Sequence, residues 1–246
     1  MRKHLSVFAL CVRQKLWKTL LILAAMAGSS AAAFAVLGPH RAWGGGYGPG
    51  NTVLWGVGAA AYLGVMLVCC GSGRGAKCGY TLQRLQISER WALIWDALAA
   101  SCCFFLLYFA EILMVFALTV WYQRSADYAL GAQGVFLMLA RSSYLHGLLP
   151  LGEGIVWARN ALYLLCAGMC CAAAACKGRD GKRAVASIAL PVFLAARLPV
   201  RLGEGGTSSL WLIVALIWAG AAFGSALYAA HNGKRREDDE IETDAP

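Results

Sequence analysis

Residues 97 to 121 read ALAASCCFFLLYFAEILMVFALTVW, 25 residues carrying a single charge, Glu111. As a helix this stretch is about 37 Å long, enough to cross a hydrocarbon core of roughly 30 Å with some tilt. A helix also pairs its backbone polar groups within the segment, as lipid demands. The pattern repeats along the chain. Further apolar runs fall at residues 19–37, 52–70, 155–176, 185–200 and 210–230, the run at 185–200 being short and interrupted by Pro191. The expected fold is therefore all-α, a polytopic membrane protein with six transmembrane helices in one domain over residues 19–230.

Charge sorts the connecting segments into two classes. Of the 22 Lys and Arg, 16 precede the first run, follow the second or fourth, or follow the sixth. They are Arg2, Lys3, Arg13, Lys15 and Lys18, then Arg74, Lys77, Arg84 and Arg90, then Lys177, Arg179, Lys182 and Arg183, then Lys234, Arg235 and Arg236. The opposite segments hold only Arg41, Arg124, Arg141 and Arg201, while Arg159 and Arg197 lie inside runs. Short loops rich in Lys and Arg stay cytoplasmic, so an integral membrane protein with both termini inside is expected. Tryptophans agree with this, with Trp17 and Trp91 at inner ends and Trp55, Trp121, Trp157 and Trp211 at outer ends.

The composition excludes a water-soluble domain: 59% of residues are hydrophobic and 14% charged, with a mean hydropathy of +0.58. Soluble domains carry about 25% charged residues. A net charge of +9 does not make a nucleic-acid site here, because the cations flank apolar runs instead of gathering on one polar face. Contact with membrane lipids, anionic ones in particular, is the reading it supports.

At the N-terminus, Leu5, Phe8, Ala9, Val12 and Leu16 recur at three- and four-residue spacing, which predicts an interfacial elbow helix over residues 1–18. At the other end, residues 231–246 pass from Lys234, Arg235 and Arg236 to six carboxylates and are expected to form a disordered cytoplasmic tail. Residues 130–141 predict a short amphipathic helix on the outer surface, followed by a turn-rich segment over 143–154.

No enzyme motif is present. The four histidines are scattered, and GSGRGAKC at Gly71 to Cys78 has Ala76 and Cys78 where a phosphate loop needs Gly and Ser or Thr. The ten cysteines include the neighbours Cys69 and Cys70, Cys102 and Cys103, and Cys170 and Cys171. Adjacent residues on a helix point about 100° apart and do not chelate together, so packing, not a metal centre, is expected of them. Neither metal nor cofactor is implied.

Glu111 is the candidate for function, because a carboxylate in mid-bilayer costs about 3 kcal/mol even on the gentler insertion scales. Arg159 and Arg197 lie inside the outer ends of their runs, within reach of a long side chain. Either one contacts Glu111, fixing the packing or lining a polar path, or both snorkel outward and Glu111 stays protonated. The duplicated LGEG at Leu151 and Leu202 is read as coincidence in a chain of 28 glycines. Between Gly79 and Arg90 the chain reads GYTLQRLQISER. There Leu82 and Leu85 share a helical face, Arg84 points elsewhere, and Ser88 can cap the helix that rises through Trp91.

GYTLQRLQISER, with YLHGLLPL at Tyr144 to Leu151 and the order of an elbow helix before six spans, resembles the membrane subunits of ABC-2 type exporters. The similarity is closer to six-span, permease-like membrane proteins of Gram-positive gut bacteria. It implies a homo- or heterodimer working with a separate ATPase subunit, docked on Thr81, Leu82, Arg84 and Leu85. The chain departs from the family where short re-entrant helices are usual between the fifth and sixth spans, having only Arg201 to Ser209 there. Two other classes stay open: a non-transporting membrane scaffold or immunity-type protein, and a proton-coupled secondary transporter using Glu111.

Overall fold

The structure, a computed structural model, describes residues 2–37, 49–71, 88–125, 154–179, 184–197 and 207–243. Those residues form six helices and no strand: α1 Arg2–Leu37, α2 Pro49–Gly71, α3 Glu89–Ser125, α4 Gly154–Arg179, α5 Val185–Arg197 and α6 Thr207–Thr243. Each of the six apolar runs expected from the sequence falls on a helix of its own over its described residues, the run at 185–200 being described as far as Arg197. Four helices are long and apolar enough to cross a membrane, over His4–Val36, Glu89–Trp121, Gly154–Arg179 and Leu210–His231. The apolar parts of α2 and α5, Gly56–Gly71 and Val185–Leu194, are shorter.

Contacts between side chains fix the direction of each helix. Along α1 and α3, His4 meets Trp91 at 5.3 Å between ring centroids, Phe8 meets Trp95 at 5.6 Å and Phe34 meets Trp121 at 6.0 Å. The sequence offset is the same at all three, so α1 and α3 run parallel and in register over about 45 Å. Ser101 on α3 packs on Gly168 of α4, and seven residues further along α3, Tyr108 meets Asn160 of α4, eight residues back, which makes that pair antiparallel. Phe193 with Trp211 and Ala186 with Trp218 do the same for α5 and α6. Ile22 packs on Gly64, and Lys15 lies within electrostatic range of Cys69, so α2 returns antiparallel to α1. The helices thus alternate in direction. The start of α1 and the ends of α4 and α6 fall at one end of the bundle, where the basic residues concentrate.

At the centre lies α4. Its residues Cys170 to Cys176 are buried without a break, a run that covers the whole circumference and requires neighbours on all sides. Small side chains let those neighbours in. A Cβ on Gly168 would stand 2.7 Å from the Ser101 amide nitrogen and 2.9 Å from its Cα, so the α3 and α4 backbones touch there. In α6, Ala215, Ala219, Ala222, Ala226 and Ala230 form the buried stripe, while Leu210, Ile213, Ile217 and Tyr228 face outward. Exposed apolar side chains of this kind are expected where lipid replaces water.

Two expectations at the chain ends need correction. Residues 2–18 do not form a separate interfacial helix, because α1 continues without a break from Arg2 to Leu37. Its buried stripe in the first half is Val7, Cys11, Lys15 and Thr19, whereas Leu5 and Leu16 of the expected apolar face are 62% and 39% exposed. The packed stripe is the one that meets α3, where Val7 and Cys11 cluster with Ala99, and it leaves Leu5 and Leu16 facing outward. Residues 231–243, expected to be disordered, continue α6 as helix. In that stretch Lys234 and Asp238, Arg235 and Asp239, and Arg236 and Glu240 are four apart in sequence, a spacing that supports a helix. The outer segments 130–141 and 143–153 lie outside the described residues.

Ser88 stands at the position before the first residue of α3. The Ala92 amide donates to the Ser88 carbonyl at 3.2 Å, closing the first turn.

Candidate functional site

Two polar contacts lie inside the bundle at different heights along α3. The lower one joins α1 to α3. Lys15 has a fully buried side chain, and its Nζ donates to Asp96 Oδ1 at 2.7 Å and to the Asp96 carbonyl at 3.3 Å. By the register of the two helices Lys15 stands opposite residue 102, about 9 Å above Asp96. Helical side chains lean toward the N-terminus, so the long Lys15 stem reaches back down the groove to its partner. Asp96 keeps 19% of its side chain accessible, which leaves one member of the pair in touch with the surroundings.

Thr19 Oγ1 donates to the Lys15 carbonyl at 2.9 Å, a local bond that removes a buried hydroxyl from apolar surroundings. Cys103 is in hydrogen-bond contact with Cys69 of α2 and with Thr19 of α1. Cys70 has the same kind of contact with Cys171 of α4. The neighbouring cysteines thus part company, each partner found on another helix, and Cys102 is exposed. Among the described residues no three of His, Cys, Asp or Glu converge to hold a metal ion. Below the pair, Trp95 Nε1 donates to His4 Nδ1 at 3.2 Å, so that nitrogen carries no proton while the bond is made. Trp91 lies across the same imidazole in an edge-on contact.

The upper contact joins α3 to α4. Asn160 Nδ2 donates to the Tyr108 hydroxyl at 3.2 Å, both side chains being buried. Glu111 lies one turn beyond Tyr108 on the face that also carries Phe104, Leu107, Val115 and Leu118, all buried. Glu111 itself is half-buried. Glu111 and Arg159 both fall within electrostatic range of the Tyr108 hydroxyl, and Trp157 closes on the Tyr108 ring at 6.2 Å. The Arg159 Nε is buried without a hydrogen-bond partner. Glu111 is 15 residues, about 22 Å, from Asp96 along α3, so the two polar contacts are separate sites.

Of the residues singled out in the sequence, Glu111 and Arg159 are brought to one place by Tyr108. Arg197 ends α5, and its side chain is outside the described residues, as are Thr81, Leu82, Arg84 and Leu85. Sequence reasoning missed Tyr108 and Asn160, as well as Lys15 paired with Asp96. One signal for Asp96 exists in the sequence: it is a lone carboxylate between apolar WALIW and ALAA. No protein family, characterised protein or solved structure matches the chain.

Proposed function

We propose that the chain is the membrane-spanning subunit of an ABC-type exporter in a bacterial inner membrane. On this reading it crosses six times with both termini cytoplasmic, and works as a homo- or heterodimer with a separate ATPase. The observation that supports transport best is the patch of Tyr108, Asn160, Glu111 and Arg159 between α3 and α4. Ionisable groups within a span face a bundle interior or a polar path, and they seldom persist without a role. The segments joining helices at the basic end, 72–87 and 180–183, are too short for a catalytic domain of roughly 100 residues. On this reading energy comes from another chain, for which Thr81, Leu82, Arg84 and Leu85 form the docking surface. Affinity purification in mild detergent tests this. A stoichiometric ATPase, lost on substituting Arg84 and Leu85, is the expected result, and recovery of the chain without one overturns the proposal.

The same patch favours a second reading, a proton-coupled secondary transporter in which Glu111 takes up and releases the proton. Its test is proton flux in vesicles carrying the chain alone. Flux present in the wild type and lost in Glu111→Gln supports it, whereas flux unchanged by the substitution removes Glu111 from the path.

A further inference from the structure

Helices α4, α5 and α6 leave a groove between them at the basic end of the bundle. It has a volume of ≈ 430 Å³ and is walled by Ala186, Val214, Ile217, Trp218, Ala221 and Ala222, with Ser225 and Lys177 also on its lining. The polar atoms of the wall are already committed. Trp218 Nε1 donates to the Ala186 carbonyl at 2.8 Å, and Ser225 Oγ donates to the Ala222 carbonyl at 2.8 Å. The wall therefore presents carbon to an occupant, with the Lys177 ammonium as its cation. Ile217 and Trp218 are 68% and 43% exposed, so the groove opens sideways, where a bilayer would lie.

Its dimensions fit one class of ligand. From Val214 to Ser225 the α6 wall rises about 16 Å, close to half of a roughly 30 Å hydrocarbon core, which is the depth of one leaflet. Lys177 lies in the last turn of α4 beside Arg179, at the end of the bundle where the basic residues concentrate. We propose that this groove is a binding site for an anionic phospholipid, one acyl chain lying along α6 and the headgroup phosphate paired with Lys177. The site depends on the bundle standing in a bilayer and not on any transport activity. A soluble peptide or sugar meets a wall that is almost all carbon, and an uncharged chain leaves the half-buried Lys177 with no counter-ion among the described residues.

Native mass spectrometry of the delipidated full chain, with phosphatidylglycerol or phosphatidylcholine added, tests the site. One phosphatidylglycerol should be retained about fivefold more strongly than phosphatidylcholine, the factor that one Lys near an anionic headgroup contributes. Lys177→Gln should erase that preference, and Ala221→Phe, which fills the groove from its exposed side, should reduce retention of both lipids. Glycerol phosphate, which has the headgroup without the chains, should not compete. Equal retention of the two lipids by the wild type, an unchanged ratio in Lys177→Gln, or competition by glycerol phosphate overturns the proposal. Should Ala221→Phe fail to fold, the ratio in Lys177→Gln decides alone.

Discussion

Lys15 and Asp96 differ in burial, and the difference predicts which of them the fold can least do without. Removing one partner of a buried ion pair costs about 3–5 kcal/mol, because the other charge is left uncompensated. In Asp96→Asn the stranded charge is Lys15, whose side chain has no exposed surface, whereas in Lys15→Met it is Asp96, 19% accessible. Asp96→Asn is thus expected to lower stability by about 3 kcal/mol or more, and Lys15→Met by less. The double variant Lys15→Met with Asp96→Leu should recover most of the loss, since an apolar pair leaves no charge to bury. The fraction remaining monodisperse in detergent after heating measures all three. A double variant no better than Asp96→Asn would mean that the pair does not act as a unit. At this scale the sequence was legible only in part. Glu111 stands out because nothing charged surrounds it for 14 residues before or 12 after. Lys15 hides among the basic residues of the N-terminus, and only the tertiary contact with α3 separates it from Arg13 and Lys18, which are exposed.

Helices were the most legible feature, because an apolar run long enough for a bilayer leaves the backbone little choice. Their faces were less so. Apolar periodicity picked out Leu5 and Leu16 as the lipid-facing stripe of an interfacial helix and did not show that the packed stripe is Val7, Cys11, Lys15 and Thr19, since a protein helix in lipid can expose leucine on one side and bury lysine on the other. Hydrophobicity therefore reports the span, while small residues report the interface between helices. Gly168 is the test of that distinction. Gly168→Ala forces a Cβ against the Ser101 backbone, and because backbone cannot move as a side chain tip does, the helices must separate; a loss of about 3 kcal/mol, the upper end of overpacking, is expected. Gly224 lies in a helix too, but a Cβ there meets nothing within 4 Å. Gly224→Ala should be neutral, or stabilising by up to about 1 kcal/mol through helix propensity. Thermal melts of both variants in one detergent provide the comparison, and equal effects would show that the close approach of α3 and α4 contributes nothing.

Across the whole molecule, alternating helix direction and the placement of charge are independent observations that meet. Direction comes chiefly from aromatic and small-residue contacts, such as Phe34 with Trp121 and Phe193 with Trp211, with Lys15 near Cys69 used for α2 alone. Charge comes from sequence position alone, and yet the start of α1, the end of α4 and the end of α6 all bring basic residues to the same end. A bundle in a bilayer with this asymmetry should insert with that end in the cytoplasm. Epitope tags on the two termini are then expected to be digested by protease in inverted membrane vesicles and protected in intact spheroplasts. The parallel packing of α1 on α3 makes the prediction stricter, because two helices in register in the same direction require α2 to return fully between them. A reporter placed in residues 72–87 should therefore show the same accessibility as both tags. If that reporter showed the opposite accessibility, α2 would not be a crossing, and the four long helices alone would carry the chain through the membrane.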